Sequence, residues 1–498
     1  MRRERIHMLA AGMVAAMLAV TAFTLLAAED AGDGTVLGDD LFGYTAISTP
    51  EELVKVGSTG DDTGDWPANG KYYLKNDIDL TGKDTNGADP GNMYPLSRSN
   101  DFTGTFDGNG KKILGVVIEV ETDGWVYAGL FAQVYGGTIR NLSVQGSITA
   151  TATGGSSGYV EGYAFAGGIA ACLWADGSDA VIENCSFSGS VKATASATAT
   201  TQNVIAKAYA GGITGHVYAM SWLMTATKCH SSGDIKSSAS AETASGTFIN
   251  SEAYAGGITG VIQSDTGDLQ IESCYSSCDI TTEARSAGGT GGNKWMAAGG
   301  IAGTALTSGG SVRILNCYST GSMGVSSPSS APAFIGGIIG DTTVISGTLT
   351  AKNCYFTGDA EAATGGDVCE GGIIGRAFKA AIEDCYFLDD DGTGPDICYT
   401  DSDLSACTGG PKTSAEMKAQ STYDNWNFDD IWEFADGKNN GYPVLQWTLA
   451  ATGGGDGDGD GGPGGDSMML YIVITIAFIV AIGILAYLFI LRPKKKIK

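Results

Sequence analysis

The stretch AYAGGITG, Ala208 to Gly215, returns letter for letter at Ala253 to Gly260. An octapeptide spelled twice in one chain is either a duplicated chemical site or a place where the backbone repeats one geometrical act. The surrounding sequence decides for the second. A double glycine followed by isoleucine recurs at Gly167-Gly168-Ile169, Gly211-Gly212-Ile213, Gly256-Gly257-Ile258, Gly299-Gly300-Ile301, Gly336-Gly337-Ile338 and Gly371-Gly372-Ile373, with a weaker first copy at Ala128-Gly129-Leu130-Phe131. Each is followed by a second block: NLSVQGSI from Asn141, NCSFSGSV from Asn184, KCHSSGDI from Lys228, SCYSSCDI from Ser273, NCYSTGSM from Asn316, NCYFTGDA from Asn353 and DCYFLDDD from Asp384. The second Gly precedes the Cys by 17 residues in five copies and by 13 from Gly129 to Leu142 and from Gly372 to Cys385. Fixed register between two blocks, with free length elsewhere, marks a chain that winds round a common axis.

The filling between each Cys and the next glycine pair alternates Ala with Thr or Ser, as in KATASATATTQNVIAKAYA from Lys192. That period of two belongs to strands, and helical periodicity is absent from the middle of the chain. With 75 Gly, the expected fold is all-β: a parallel β-solenoid (β-helix) of about seven repeats with N- and C-terminal caps. Stacked coils put like residues one above another, so Ile213 and its equivalents should point inward. The paired glycines should supply either a positive φ or a close approach between coils. Cys185, Cys229, Cys274, Cys317, Cys354 and Cys385 should form an inward column headed by Leu142, and an aliphatic head argues against metal or redox chemistry there.

These residues carry a resemblance. The GG-I-x-G block followed by N-C-Y-x-x-G resembles the GLUG-type repeats of bacterial and archaeal surface proteins, and Ile47–Ile118 and Lys412–Trp447 resemble the leader and trailer that flank such repeats. The resemblance implies an adhesin-like β-solenoid at a cell surface and leaves the ligand open.

The ends extend this expectation. Residues 1–28, with Arg2, Arg3 and Arg5 before an apolar run, read as a signal peptide, an uncleaved signal-anchor being the alternative. A linker follows over 29–43, then an N-terminal cap and first strands over 44–126, the repeats over 127–398 and a C-terminal aromatic cap over 399–448. A Gly/Asp-rich linker covers 449–467, and 468–491 is an uncharged stretch long enough for one transmembrane helix. The basic tail 492–498 then reads as cytoplasmic, which predicts a single-pass protein of the cell membrane with an extracellular ectodomain.

Within the caps, Thr49-Pro50-Glu51-Glu52 has the capping residues of a short helix, and Asp107-Gly108-Asn109-Gly110 reads as a tight turn. Trp426, Phe428, Trp432, Phe434, Tyr442 and Trp447 suit either a sugar-stacking surface or an apolar lid over the last coil, and the lid is expected. The formal charge is −26, with eight of the 29 basic residues in the two termini, which argues against nucleic acid as a partner.

No catalytic, cofactor-binding or metal-ligating residue is expected. His216 and His230 occupy unlike positions of the repeat. Asp389, Asp390 and Asp391 form a lone run read as a turn, and Asp456, Asp458 and Asp460 begin an EF-hand-like loop whose last position is Ser467 instead of Glu. Asn141 and Asn184 fit glycosylation sequons but adjoin the inward column, and Cys398 and Cys407 bracket a loop short enough for a disulfide. The expected function is that of a membrane-anchored surface protein, not an enzyme, that shows variable loops between each Cys and the next glycine pair to an unknown glycan or protein of a host or neighbouring cell. The alternative is an extracellular polysaccharide-binding or polysaccharide-degrading β-helix protein.

Overall fold

The structure is a computed structural model and describes residue 41 and residues 43–450 apart from 61–63, 84–91, 155–159, 246–247, 290–293, 328–330, 401–403 and 405. It is built almost wholly of parallel strands in three sheets of 19, eight and seven strands. One turn of chain shows how each rung is made. Val204–Gly211 runs in the seven-stranded sheet, Thr214–Ala219 in the eight-stranded sheet, and Met224–Thr227 and His230–Thr243 in the large sheet, before Ile249–Gly256 begins the next rung. Each strand pairs in parallel with its counterpart one repeat later, Tyr209 beside Tyr254 and Ile235 beside Ile280. The Ala/Ser/Thr-rich filling, expected as variable display loops, mostly extends the large sheet: Ala180–Ala199 pairs with His230–Thr243 without a slip from Ser186 to Ala199.

The two repeated blocks are the corners. At the glycine corner, a Cβ on Gly212 would lie 2.2 Å from the carbonyl oxygen of Gly257 on the next rung, and one on Gly257 would lie 2.1 Å from that of Gly300. Close approach between coils is therefore what these glycines provide. Ile213, Ile258, Ile301, Ile338 and Ile373 follow them into the interior, all at most 1% exposed.

At the second corner the residue before Leu142 and before each cysteine of the column is left-handed: φ is 54° at Asn141, 50° at Asn184, 52° at Lys228, 53° at Ser273, Asn316 and Asn353, and 50° at Asp384. Asn tolerates this region best among non-glycine residues, which accounts for its recurrence beside the cysteine. Asn184 Nδ2 also donates to Asn141 Oδ1 at 3.0 Å, and Asn141 Nδ2 to Asp107 Oδ1 at 3.1 Å. The cysteines are buried, and Cys185, Cys229, Cys274 and Cys317 donate to the carbonyls two residues earlier at 3.1–3.3 Å. Burial pushes the Cys185 thiol up to about 12, so it stays protonated.

The leading cap contains the helix Pro50–Leu53, with Thr49 Oγ1 accepting from Glu52 N. At the trailing end, Trp426 packs 6.2 Å from Tyr355 and 6.1 Å from Tyr386, and its indole N–H donates to Asp384 O at 2.9 Å. Residues from Asn427 onward belong to a second unit, in which Trp432–Glu433 pairs antiparallel with Val444–Leu445. Of the aromatic residues expected as a lid, Trp426 therefore belongs with the coils, whereas Phe428, Trp432, Phe434, Tyr442 and Trp447 belong to that second unit.

The expected fold class needs correction at its C-terminal end. No helix among the described residues is long and apolar enough to cross a membrane. The stretch 468–491 lies outside the described residues, as do 1–28, the linker beyond Ala450 and the tail 492–498. The membrane anchor, the single-pass topology with a cytoplasmic C-terminus and the anchored surface function built on them are therefore withdrawn. Cys398 and Cys407 are both free thiols, one in the eight-stranded and one in the 19-stranded sheet, so the considered disulfide is not formed.

Lys228 holds a left-handed corner where the preceding rung uses Asn184. Lys228→Asn should raise stability by about 1 kcal/mol, measured as a higher urea midpoint with an unchanged slope.

Candidate functional site: an aromatic elbow outside the coils

A strand buries alternate residues on opposite faces. In the two smaller sheets one set fills the interior, while the other set packs as a separate cluster outside it, where the outer faces of the two sheets meet at an elbow. On the seven-stranded sheet, Tyr127, Phe165, Tyr209 and Tyr254 stand in one register column, and Trp125, Tyr163, Lys207 and Glu252 in the next. On the eight-stranded sheet the facing columns are Gln133, Cys172, His216 and Val261, and Tyr135, Trp174, Tyr218 and Gln263. The tyrosines of the repeated octapeptide, Tyr209 and Tyr254, thus point outward into this elbow.

The inner part of the elbow is closed. His216 is only 9% exposed and lies 5.9 Å from Phe165, 6.0 Å from Trp174, 6.1 Å from Tyr209 and 6.3 Å from Tyr218, ring centre to ring centre. Its Nε2 is buried and finds no hydrogen-bond partner among the described residues. Burial, with a smaller push from Lys207, lowers His216 to about 4, so the ring is neutral at physiological pH. Charges inside the elbow are paired. Glu252 accepts from Lys207 Nζ at 3.0 Å, Tyr209 OH at 3.2 Å and Asn250 Nδ2 at 2.9 Å. Arg376 grips Asp341 through two bonds of 2.8 and 3.0 Å while its guanidinium lies over Phe334 at 4.4 Å and Trp295 at 4.9 Å. Burial outweighs that pairing and raises the Asp341 carboxyl to about 6.

The leading rungs are open. Trp125 is 52% exposed and stacks on Tyr163 with centroids 4.2 Å apart and planes 14° from parallel. Across the elbow Tyr135 stacks on Trp174 at 5.2 Å and 13°. Tyr135 and Gln133 also line a cleft of ≈ 660 Å³, walled by the 98–103 loop and the turn at Asp176, Gly177 and Ser178. Phe102 bridges to Val134, which places Asp101 and Thr103 at the start of the same two outer columns. Burial, helped by the Asp101 and Asp176 carboxylates, pushes the Tyr135 phenol up to about 12. Flat ring faces beside a cleft of hydroxyl, amide and carboxylate groups can stack on the C–H faces of a sugar and hydrogen-bond its hydroxyls.

Of the residues considered from sequence, only His216 enters this site. His230 stacks on Tyr275 at 4.8 Å in a different column, continued by Tyr318 and Tyr355. Asp389 and Asp391 accept turn hydrogen bonds from Gly392 and Thr393, Asp390 accepts from the backbone N–H of Ser414, and Asp107 accepts from Arg140 at 2.7 Å. The EF-hand-like aspartates lie outside the described residues. Trp125, Tyr135, Tyr163 and Trp174 are not visible in the shared blocks, because this site lies where the first copies differ from the rest. For Trp125 and Tyr163 the signal is the alternation in WVYA and GYAFAG, an aromatic at every second residue; Tyr135 and Trp174 carry no such signal.

No family profile and no curated protein matches the chain. Among solved structures it is similar to the crystal structure of a putative immunoglobulin A1 protease from Bacteroides ovatus, at 21% identity over 81% of this chain and 92% of that one, with a TM-score of 0.41. A likeness at that score carries no weight for fold or activity.

His216 gives the elbow an acid sensitivity. An unfolded imidazole takes its proton near 6.5 and the folded one near 4, so its contribution is complete above 6.5 and lost as pH falls between those values. His216→Phe should therefore narrow the drop in unfolding free energy between pH 7.5 and 4.5 by about 2–3 kcal/mol, read from urea unfolding at both pH values. Asp341 shifts in the opposite sense and is common to both proteins, so it cancels from the comparison.

Proposed function

We propose that the chain is a polysaccharide-binding module, acting without turnover, whose site is the open leading end of the aromatic elbow. The observation that carries this reading is the pair of near-parallel ring stacks, Trp125 on Tyr163 and Tyr135 on Trp174, on opposite walls of the elbow with a polar cleft at one end. A purely structural reading accounts for Tyr209, Tyr254 and Phe334, which are buried. It does not account for Trp125, whose indole is half in water and contributes little to any core. The sheets behind it are paired in register, which preorganises the rings and lowers the cost of binding. Binding rather than catalysis fits the repeat: the aspartate pairs that recur, Asp176/Asp179 and Asp265/Asp268, lie in turns and are interrupted by Met220 to Leu223 on the rung between, and no histidine–nucleophile pair recurs.

Trp125→Ala should abolish retardation of the protein in gels containing the polysaccharide it binds, while its thermal midpoint stays within about 1 °C. Retention equal to that of the parent protein, or no retardation of the parent by any polysaccharide tested, would remove the basis for this function.

A further inference from the structure

The turn that follows the eight-stranded sheet is polar in most rungs. It reads Asp-Gly-Ser-Asp over 176–179 and Asp-Thr-Gly-Asp over 265–268. Between them, in the third rung, the same turn reads Met220-Ser221-Trp222-Leu223, with Met220 36%, Trp222 46% and Leu223 38% exposed. A turn that its neighbours make with Asp, Gly and Ser has no folding need for three exposed apolar side chains. Its position is fixed by hydrogen bonds to the rung before: Met220 N donates to Ala175 O at 3.2 Å and Leu223 N to Asp179 Oδ1 at 2.9 Å. Asp176, Gly177 and Ser178 on that preceding rung form one wall of the ≈ 660 Å³ cleft. Trp222 therefore sits in the turn one rung further along the axis from the turn that walls the cleft.

Charge narrows what can lie there. Among the described residues, the cations inside the elbow are committed, Lys207 to Glu252 and Arg376 to Asp341. In the cleft, Arg98 covers the Tyr94 ring at 4.0 Å and shares the lining with Asp101 and Asp176. A uronate or sulfated chain would meet these carboxylates within a protein of charge −26 and find few cations to receive it. Aromatic faces, amides and hydroxyls suit a ligand that offers C–H faces and hydroxyl groups alone.

We propose that the ligand of the elbow is an uncharged glycan chain that runs from the Tyr135 cleft, parallel to the stacking axis, onto Trp222 as a second stacking platform. This rests on the polysaccharide-binding reading above. It adds the ligand's charge class, its direction and a requirement for length.

Isothermal titration of the full chain with neutral cello-, manno- and malto-oligosaccharides, each as disaccharide and hexasaccharide, and with hexagalacturonate tests it. The expected result is tight binding of one neutral hexasaccharide and at least tenfold weaker binding of hexagalacturonate. Trp222→Ala should weaken the hexasaccharide about tenfold and leave the disaccharide unchanged, with an unchanged thermal midpoint because the indole is exposed. Hexagalacturonate bound as well as the neutral chains overturns the charge class, and equal losses for short and long chains in Trp222→Ala overturn the second platform. In both cases the elbow remains a glycan site. Binding of no glycan overturns the underlying reading instead.

Discussion

The structure depends on one constraint: parallel strands stacked in register, about 4.8 Å apart, force each position of the coil to tolerate itself as its neighbour. A side chain that packs well against its own copy can recur in every rung, and one that repels its copy cannot. Ile at the glycine corner meets this demand by shape, and the thiols at the second corner meet it by being small, apolar and able to donate to a carbonyl of their own rung. Backbone geometry is held to the same rule. Seven successive corners share a left-handed residue within a few degrees of φ, because a rung that turned differently would lose its pairing with both neighbours.

This constraint also explains what was legible in advance. Gly-Gly-Ile and the cysteine column could be read from spacing, since strict recurrence is itself the signal of inward stacking. The role of the residue before the cysteine was not legible in the same way. Lys228 and Ser273 stand there as well as Asn, and a conformation shared by Lys, Ser, Asn and Asp has no single-letter signature. The Ala/Thr-rich filling was correctly strand-like in period, yet variable length invited a reading as display loops. In the structure the extra residues lengthen strands of the large sheet. The apolar stretch at the C-terminus satisfied the length criterion for a membrane span, but the described residues hold no such helix, and a function resting on that anchor goes with it.

The candidate site escapes a search for recurrence because it is made by departure from it. Outward positions need only avoid clashing with their neighbours, so they are free to differ. Along one outer column the chain moves from Tyr135 and Trp174 through Tyr218 to Gln263 and Leu306, changing from flat open rings at the leading rungs to ordinary packing further on. His216 marks where the two regimes meet, a neutral imidazole enclosed by four rings with a buried nitrogen that no described residue satisfies. The rigid interior supplies the spacing, and the outer columns use that spacing to set rings at intervals along an axis.

The sulfur atoms offer the most direct test of this picture. Anomalous diffraction from a crystal of the protein at long wavelength locates each sulfur without reference to any interpretation of the chain. The account predicts that Cys185, Cys229, Cys274, Cys317, Cys354 and Cys385 lie in single file, each about 4.8–5 Å from the next, with no stronger scatterer among them. Sulfurs dispersed through the molecule, or gathered round a metal ion, would contradict it.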